Sequence, residues 1–422
     1  MKIFVLFVVL VLSGATLPAQ TYSIIHSFAN SDGRQPYNLV VSGDTLYGTT
    51  PSGGDNDQGS MFKINTDGTG FSLLYSPFYV NYDSHMGLLL SGNMLFGSDG
   101  SDLFVACLNE TNYAILPVAG GDLADCNPLV LSGFTLYGTT SFSIFSLNTD
   151  GTSFTTMKSF TGSPDGLDSE AGLVLGGNTL YGTTYSGGTN YNHGTVFKIN
   201  TDGMGYAVLH SFSNALDGMN PQADLVLNGS QLYGTTCKGG IAGYGTVFVI
   251  NTNGTGYRVL NNFSNSPDGA NPEAGLLLVG GTLYGTTVDG GSSGDGTVFQ
   301  MNTNGMGYAV VHNFLGSPVD GAGPAGKLVV GSDGLYGTTA GGGTNSGTGT
   351  IFRLTLPPPQ LQVTTAGNSP TVFWSNDGFS HNLQTTTNLA SGPWTTVSNG
   401  VPLVGLQITN GASQPQAFFR LQ

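Results

Sequence analysis

The chain has 422 residues, 67 of them Gly; only 8% are charged, and 10 Lys and Arg stand against 25 Asp and Glu, a formal −15 at pH 7. A surface of that sign repels phosphate backbones and anionic headgroups, which sets nucleic acid and membrane surfaces aside as partners. So much Gly, beside abundant Thr, Ser and Asn, marks short strands joined by tight turns rather than a helical protein.

Met1-Lys2, the apolar run Ile3 to Leu12 and the small residues Ser13 to Ala19 have the three zones of a secretory leader, assigned to 1–19. Its apolar core is shorter than the roughly 20 residues a spanning helix needs, and no later stretch qualifies. The expected location is therefore outside the cytoplasm, secreted or at the cell surface, without membrane insertion.

From there to residue 356 one unit repeats. Leu-Tyr-Gly-Thr-Thr occurs at 46–50, 136–140, 180–184, 232–236, 283–287 and 335–339, and the degenerate Leu95-Phe96-Gly97-Ser98 fills the remaining gap. A period of this length belongs to repeat folds such as propellers. Within the unit four strand-like pieces alternate with turn residues, for example Gly176-Gly177-Asn178 and Asn200-Thr201-Asp202-Gly203. Four short antiparallel strands make one propeller blade. Tyr22 to Phe28 is a fourth strand with no first three ahead of it, and Gly349 to Leu354 is a third strand with no fourth behind it. The two ends complete each other and leave no sheet edge dangling, which predicts an all-β, seven-bladed β-propeller over 20–356.

Leu356-Pro357-Pro358-Pro359-Gln360 reads as a stiff linker, placed at 357–360. Beyond it, 361–422 leaves the repeat and alternates as strands do, which predicts a small C-terminal β-sandwich holding both tryptophans, Trp374 and Trp394.

The sequence Leu-Tyr-Gly-Thr-Thr, Gly-Gly, Gly-Thr-Val-Phe, Asn-Thr-Asp-Gly and Tyr-x-Val-Leu-His-Ser-Phe resembles the GloVer tandem repeat of secreted bacterial proteins, over roughly Thr21 to Leu354. The tail, with Asn382 to Leu389, Pro393-Trp394 and Phe418 to Leu421, resembles a sandwich domain that ends secreted proteins of Verrucomicrobia-like bacteria. The resemblance implies the fold and an extracellular setting, and leaves the activity undefined.

A catalytic group is needed once and a packing group in every blade, so the repeated Tyr is read as an inter-blade core aromatic. Its Gly is read as relief from a neighbouring sheet, and the Thr pair as strand formers on a half-buried surface. Loops joining strands two to three, and strand four to the next blade, share one face. Asp32, Asp165, Asp217, Asp268 and Asp320 recur there, each followed by Gly. They form a candidate ring of calcium ligands, the alternative being that each Asp caps its own turn. His26, His210 and His312 share one slot on the outermost strand and read as exposed edge residues. Cys107 and Cys126 form a candidate disulfide, with buried free thiols as the equal alternative.

Unique chemistry belongs where the repeat breaks. The connection into blade two carries Phe78, Tyr79, Tyr82, Asp83 and His85, a candidate ligand-binding group in which aromatics stack on sugar rings and the polar pair assists; the alternative is core filling in a decayed blade. No catalytic grouping stands out and no cofactor other than calcium is expected. The leading expectation is a monomeric, non-catalytic binding or scaffold protein contacting extracellular glycan or envelope protein. The rivals are a propeller polysaccharide hydrolase or lyase, and a spacer displaying a C-terminal sorting or adhesion domain.

Overall fold

The computed structural model describes residues 21–356 apart from 77–86, 99–101, 109–112, 119–122, 124, 190–191, 214–215 and 346, and beyond them six short strands between 362 and 421. The leader at 1–19, the linker at 357–360 and the aromatic connection bearing Phe78 to His85 lie outside the described residues.

Seven four-stranded antiparallel sheets follow one another, each in simple 1-2-3-4 order. Blade 4 is typical, with strands Val174–Gly176, Thr179–Thr184, Thr195–Asn200 and Ala207–Ser211. Blade 7 takes Val329–Val330, Leu335–Thr339 and Thr350–Thr355 from one end of the repeat and Thr21–Ser27 from the other. Thr21 pairs with Thr355 and Ser27 with Thr350, so the predicted closure of the ring by the first strand is observed. First strands of neighbouring blades touch, which places them innermost around the axis.

Seven apolar clusters hold the ring, and each spans two blades. Tyr181 of blade 4 packs with Leu225, Leu232, Phe248 and Ile250 of blade 5. Tyr336 of blade 7 packs with Leu39, Leu46 and Phe62 of blade 1, and Phe96 does the same between blades 2 and 3. The motif aromatic is therefore the inter-blade residue expected of it, buried in every copy.

Its two neighbours do something other than expected. A Cβ on Gly182 would lie 2.6 Å from Cζ of Phe197, its register partner within the same sheet. The glycine thus makes room for its own blade's Phe rather than for the adjoining sheet. The Thr pair is fully buried, not half-buried. The second Thr bonds the residue that opens strand three, as in Thr184 Oγ1 to Thr195 Oγ1 at 2.9 Å, and in two blades the first Thr donates to the carbonyl of an Ala in the next blade, Thr139 to Ala171 at 2.7 Å and Thr183 to Ala223 at 3.3 Å. These bonds replace water for the hydroxyls that make them, whereas the first Thr of blades 1, 5 and 6 (Thr49, Thr235 and Thr286) buries its hydroxyl without a partner.

Beyond the ring, the strands Gln362–Ala366, Ser369–Phe373 and Leu406–Gln407 pair as one sheet, and Thr395–Ser398, Leu383–Thr386 and Phe418–Leu421 as another.

Candidate functional site

The strand-four histidines are not edge residues. In six blades the ladder between strands three and four carries a bulge; in blade 4, Val196 pairs with His210 and Phe197 with Val208, leaving Leu209 extra. A bulge re-aims the side chains beyond it. His210 turns against Tyr257 of blade 5, with ring centroids 3.8 Å apart and planes within 4°. His26 stacks likewise on Phe71 and His312 on Tyr22, at 4.0 and 3.7 Å, while Lys158 lies over Tyr206 at 5.0 Å. These are struts between blades, and burial lowers the pKa of His26 and His210 despite the Asp beside each.

That Asp is the one from the Asp-Gly loop. His26 Nε2 lies 3.0 Å from Asp32 and His312 Nε2 2.9 Å from Asp320, with His210 and Asp217 at 3.4 Å and Lys158 bonded to Asp165. The loop backbone and hydroxyls take further oxygens: Ala29 N donates to Asp32 at 2.6 Å, Thr161 Oγ1 to Asp165 at 2.9 Å and Ser264 N to Asp268 at 3.2 Å. The five carboxylates sit in five separate loops, each turned to its own chain, and among the described residues no three His, Cys, Asp or Glu side chains converge to hold a metal.

The candidate disulfide is overturned, since all three cysteines are free thiols. Cys107 ends the third strand of blade 2, where its sulfur accepts a bond from Asn93 Nδ2 at 3.1 Å. Cys126 is buried in the core shared by blades 2 and 3, and burial pushes its pKa up.

The feature that sequence reading missed lies on the axis. In five blades the first strand is entered by a short segment that follows the Asp-Gly loop, and these segments surround a cavity lined by Tyr37, Glu170, Gln222, Asp224, Glu273 and Lys327, among others. Counting the solvent in its mouth, it encloses about 280 Å³. Inner bonds tie the blades together here: Gly172 N donates to Asp224 at 2.6 Å, Lys327 N to Asn38 Oδ1 at 3.1 Å, and Lys327 Nζ lies 4.0 Å from Asp224.

Glu170 of blade 4 and Glu273 of blade 6 face this space. Burial, then the charge of Asp168, raises Glu170 from 4.5 to about 7, against a hydrogen bond from Gln222. Burial, then Asp289, also raises Glu273, against the charge of Lys238. Lys238 Nζ donates to the Tyr185 hydroxyl at 3.3 Å. Glu170 Oε2 is sealed from solvent and has no hydrogen-bond partner. Two carboxylates whose charge is poorly compensated can hold a proton near neutrality or accept a cation.

The cavity opens on the face of the strand two-to-three and strand four-to-one loops. Exposed apolar side chains stand on the same face: Phe142, Leu216, Ile241, Leu315 and Val319, with Ile241 at 78% and Leu216 at 66% exposure. A bridge between Met219 and Lys238 brings the loops of Leu216 and Ile241 together, and Ile241 N donates to Asn262 Oδ1 at the end of the outermost strand of blade 5 at 3.0 Å. Phe134, Met204 and Met306, also exposed, occupy turns of the opposite face. Among the described residues no helix is long and apolar enough to cross a membrane.

Residues 189–398 match the family model described as the Gloeobacter/Verrucomicrobia repeat. No curated protein sequence matches the chain. Among solved structures, the extracellular domain of a putative hybrid two-component system from B. thetaiotaomicron is similar at a TM-score of 0.55 and 10% identity, over 84% of this chain and 46% of that one. A puromycin-hydrolyzing peptidase from Mycobacterium tuberculosis is similar at 0.50 and 14% identity, over 86% of this chain and 63% of that one. The chain thus spans under two thirds of either relative's length, and identities this low speak to the fold alone.

Proposed function

For a chain that carries the Gloeobacter/Verrucomicrobia repeat, we propose a non-catalytic binding platform, working outside the cytoplasm and contacting glycan or protein of the cell envelope through its Asp-Gly loop face. The observation that carries this reading is the set of exposed apolar side chains on that face. Large apolar residues raised on loops of a rigid ring are what a contact surface needs. The repeated His and Tyr are consumed in joining blades and the repeated Asp in holding its own loop, which leaves the loop tips and the axial slots to vary.

The test is retention of the protein on envelope fractions and a polysaccharide panel. Leu216→Ser with Ile241→Ser should lower retention about tenfold, whereas Met204→Ser with Met306→Ser on the opposite face should leave it unchanged. Equal retention by all three proteins would remove the loop face as the contact surface.

A hydrolase or lyase is the second reading, favoured by one observation: Glu170 is raised to about 7, where a carboxyl can act as a general acid. Release of reducing or unsaturated ends from any panel member, lost in Glu170→Gln, would establish it.

A further inference from the structure

The hairpin turns between strands three and four, on the face away from the Asp-Gly loops, share one plan. In blades 1, 3 and 5 a Thr follows the turn Gly: Thr69 Oγ1 donates to Asp67 at 2.7 Å, Thr152 Oγ1 to Asp150 at 2.6 Å and Thr255 Oγ1 to Asn253 at 2.7 Å. The same hydroxyls accept from the side-chain amides of Asn65, Asn148 and Asn251 at 3.0, 2.9 and 3.1 Å. Blades 4 and 6 put Met204 and Met306 in that place, each 69% exposed. The backbone of these two turns is unaltered, with Met204 N donating to Asp202 and Met306 N to Asn304, both at 2.9 Å. The amide also keeps its place: a Cβ on Gly205 would lie 3.0 Å from Asn200 Nδ2 and one on Gly307 3.1 Å from Asn302 Nδ2, against 2.8 Å for Gly70 and Asn65 Nδ2. Each turn thus lacks the hydroxyl's bonds, retains the amide donor beside the slot and holds a thioether in solvent. A thioether is a weak acceptor, and oxidation converts it into a polar sulfoxide. Carried on Sδ of a flexible side chain, that oxygen can fold back to the amide that a Thr hydroxyl meets in the sister turns. The core methionines have no such outlet. Met61 and Met301, each 1% exposed, are packed between blades 1 and 2 and between blades 5 and 6, where a sulfoxide would disrupt the packing.

We propose that Met204 and Met306 are modification sites, oxidised by peroxides to methionine sulfoxide whose oxygen is held by the side-chain amides of Asn200 and Asn302, so that the turns keep their fold. In each step an S–O bond forms as the peroxide O–O bond breaks; Sδ loses two electrons and hydrogen peroxide leaves as water. A thiol-dependent sulfoxide reductase reverses the step, taking the oxygen off as water. The proposal is independent of the platform reading, since both turns lie on the other face of the ring.

The test treats the full chain with hydrogen peroxide at neutral pH and follows its peptides by mass. Met204 and Met306 should each gain one oxygen about tenfold faster than Met61 and Met301, and a sulfoxide reductase with dithiothreitol should remove it. Equal rates at the exposed and the core methionines overturn the proposal. Urea unfolding then tests the amides, on protein taken when Met204 and Met306 are converted and compared with its own untreated form. Oxidation should raise the parent's midpoint by about 0.3 M, the effect of an added hydrogen bond in each turn. The rise should be absent in Asn200→Ala/Asn302→Ala, which lacks the donors, and in Met204→Leu/Met306→Leu, which lacks the sulfur. A parent midpoint that does not rise, or a rise of the same size in either double variant, overturns the proposal as well.

Discussion

Replacing Glu170 by Gln should stabilise the protein at high pH and leave it unchanged at low pH. The carboxyl titrates near 4.5 when unfolded and near 7 when folded. Below pH 4.5 both states hold the proton and the side chain costs nothing in charge. As pH rises toward 7 the unfolded chain ionises first, so stability is lost across that window, and the loss is complete above it. One pKa unit corresponds to 1.36 kcal/mol, so the shift caps the cost at about 3 kcal/mol, and solvent reaching Glu170 through the open mouth reduces it to about 1–2 kcal/mol. Gln retains an oxygen to accept from Gln222, and its amide replaces a protonated acid of the same shape, so the two proteins should agree at pH 4. Urea unfolding of parent and Glu170→Gln at pH 4 and pH 8 measures the difference directly. A gain of the same size at both values, or a loss at pH 8, would show that Glu170 is not held as an uncompensated acid and would refute the reasoning. Adding Glu273→Gln should shrink the gain by a few tenths of a kcal/mol, since each carboxylate raises the cost of the other.

Thiol titration of the unfolded, unreduced chain should return three thiols, and one would restore the disulfide between Cys107 and Cys126. Gly182→Ala should cost about 1–3 kcal/mol in urea unfolding, because its methyl meets Phe197 at 2.6 Å in a packed sheet; a change below half a unit would mean that the ring of Phe197 can move aside. His210 is held neutral by burial, so its contribution is present above pH 6.5 and is lost as pH falls below it. His210→Asn, with the residue that blade 5 has at Asn261, should therefore flatten the fall in unfolding midpoint between pH 7 and pH 5, and an unaltered slope would exclude His210 as its source.

The ring was legible because its rules are local and repeated. Alternation, turn residues and the orphan strand at Tyr22 to Phe28 specify the blade count and the closure through Thr21–Ser27, and each requires only neighbouring residues. The burial of Tyr47, Tyr181 and Tyr336 followed from the same repetition. What the residues around them do was harder to read. Gly182 opposes Phe197 across a strand pair, a contact between positions 15 apart that periodicity does not announce. The slot of His26, His210 and His312 looked like an outer edge because it lies on the outermost strand. The bulge at Leu209 breaks the strand's alternation by one residue, and a single slip exchanges the two faces of a strand.

The axial site escaped for a related reason. The sequence was searched where the repeat breaks, at Phe78 to His85, whereas Glu170 and Glu273 sit inside well-formed repeats. A signal was nonetheless present: after the constant Pro221, Pro272 and Pro324 comes a residue that changes every time, Gln222, Glu273 and Ala325, and Glu170 holds the matching place in blade 4. Only the ring gives that slot its meaning, since blades more than a hundred residues apart in the chain bring it to one cavity. A repeat protein gains a single site from many copies by holding the frame constant and varying the position nearest the axis, where one substitution per blade changes the chemistry without disturbing a blade interface. By that argument Ala325 is the informative position to alter: Ala325→Glu would add a fourth carboxylate to the cavity, beside Glu170, Asp224 and Glu273, without touching an inter-blade cluster. It should raise Glu170 further, and an unchanged pH dependence in the urea series would show that the slot does not face the others.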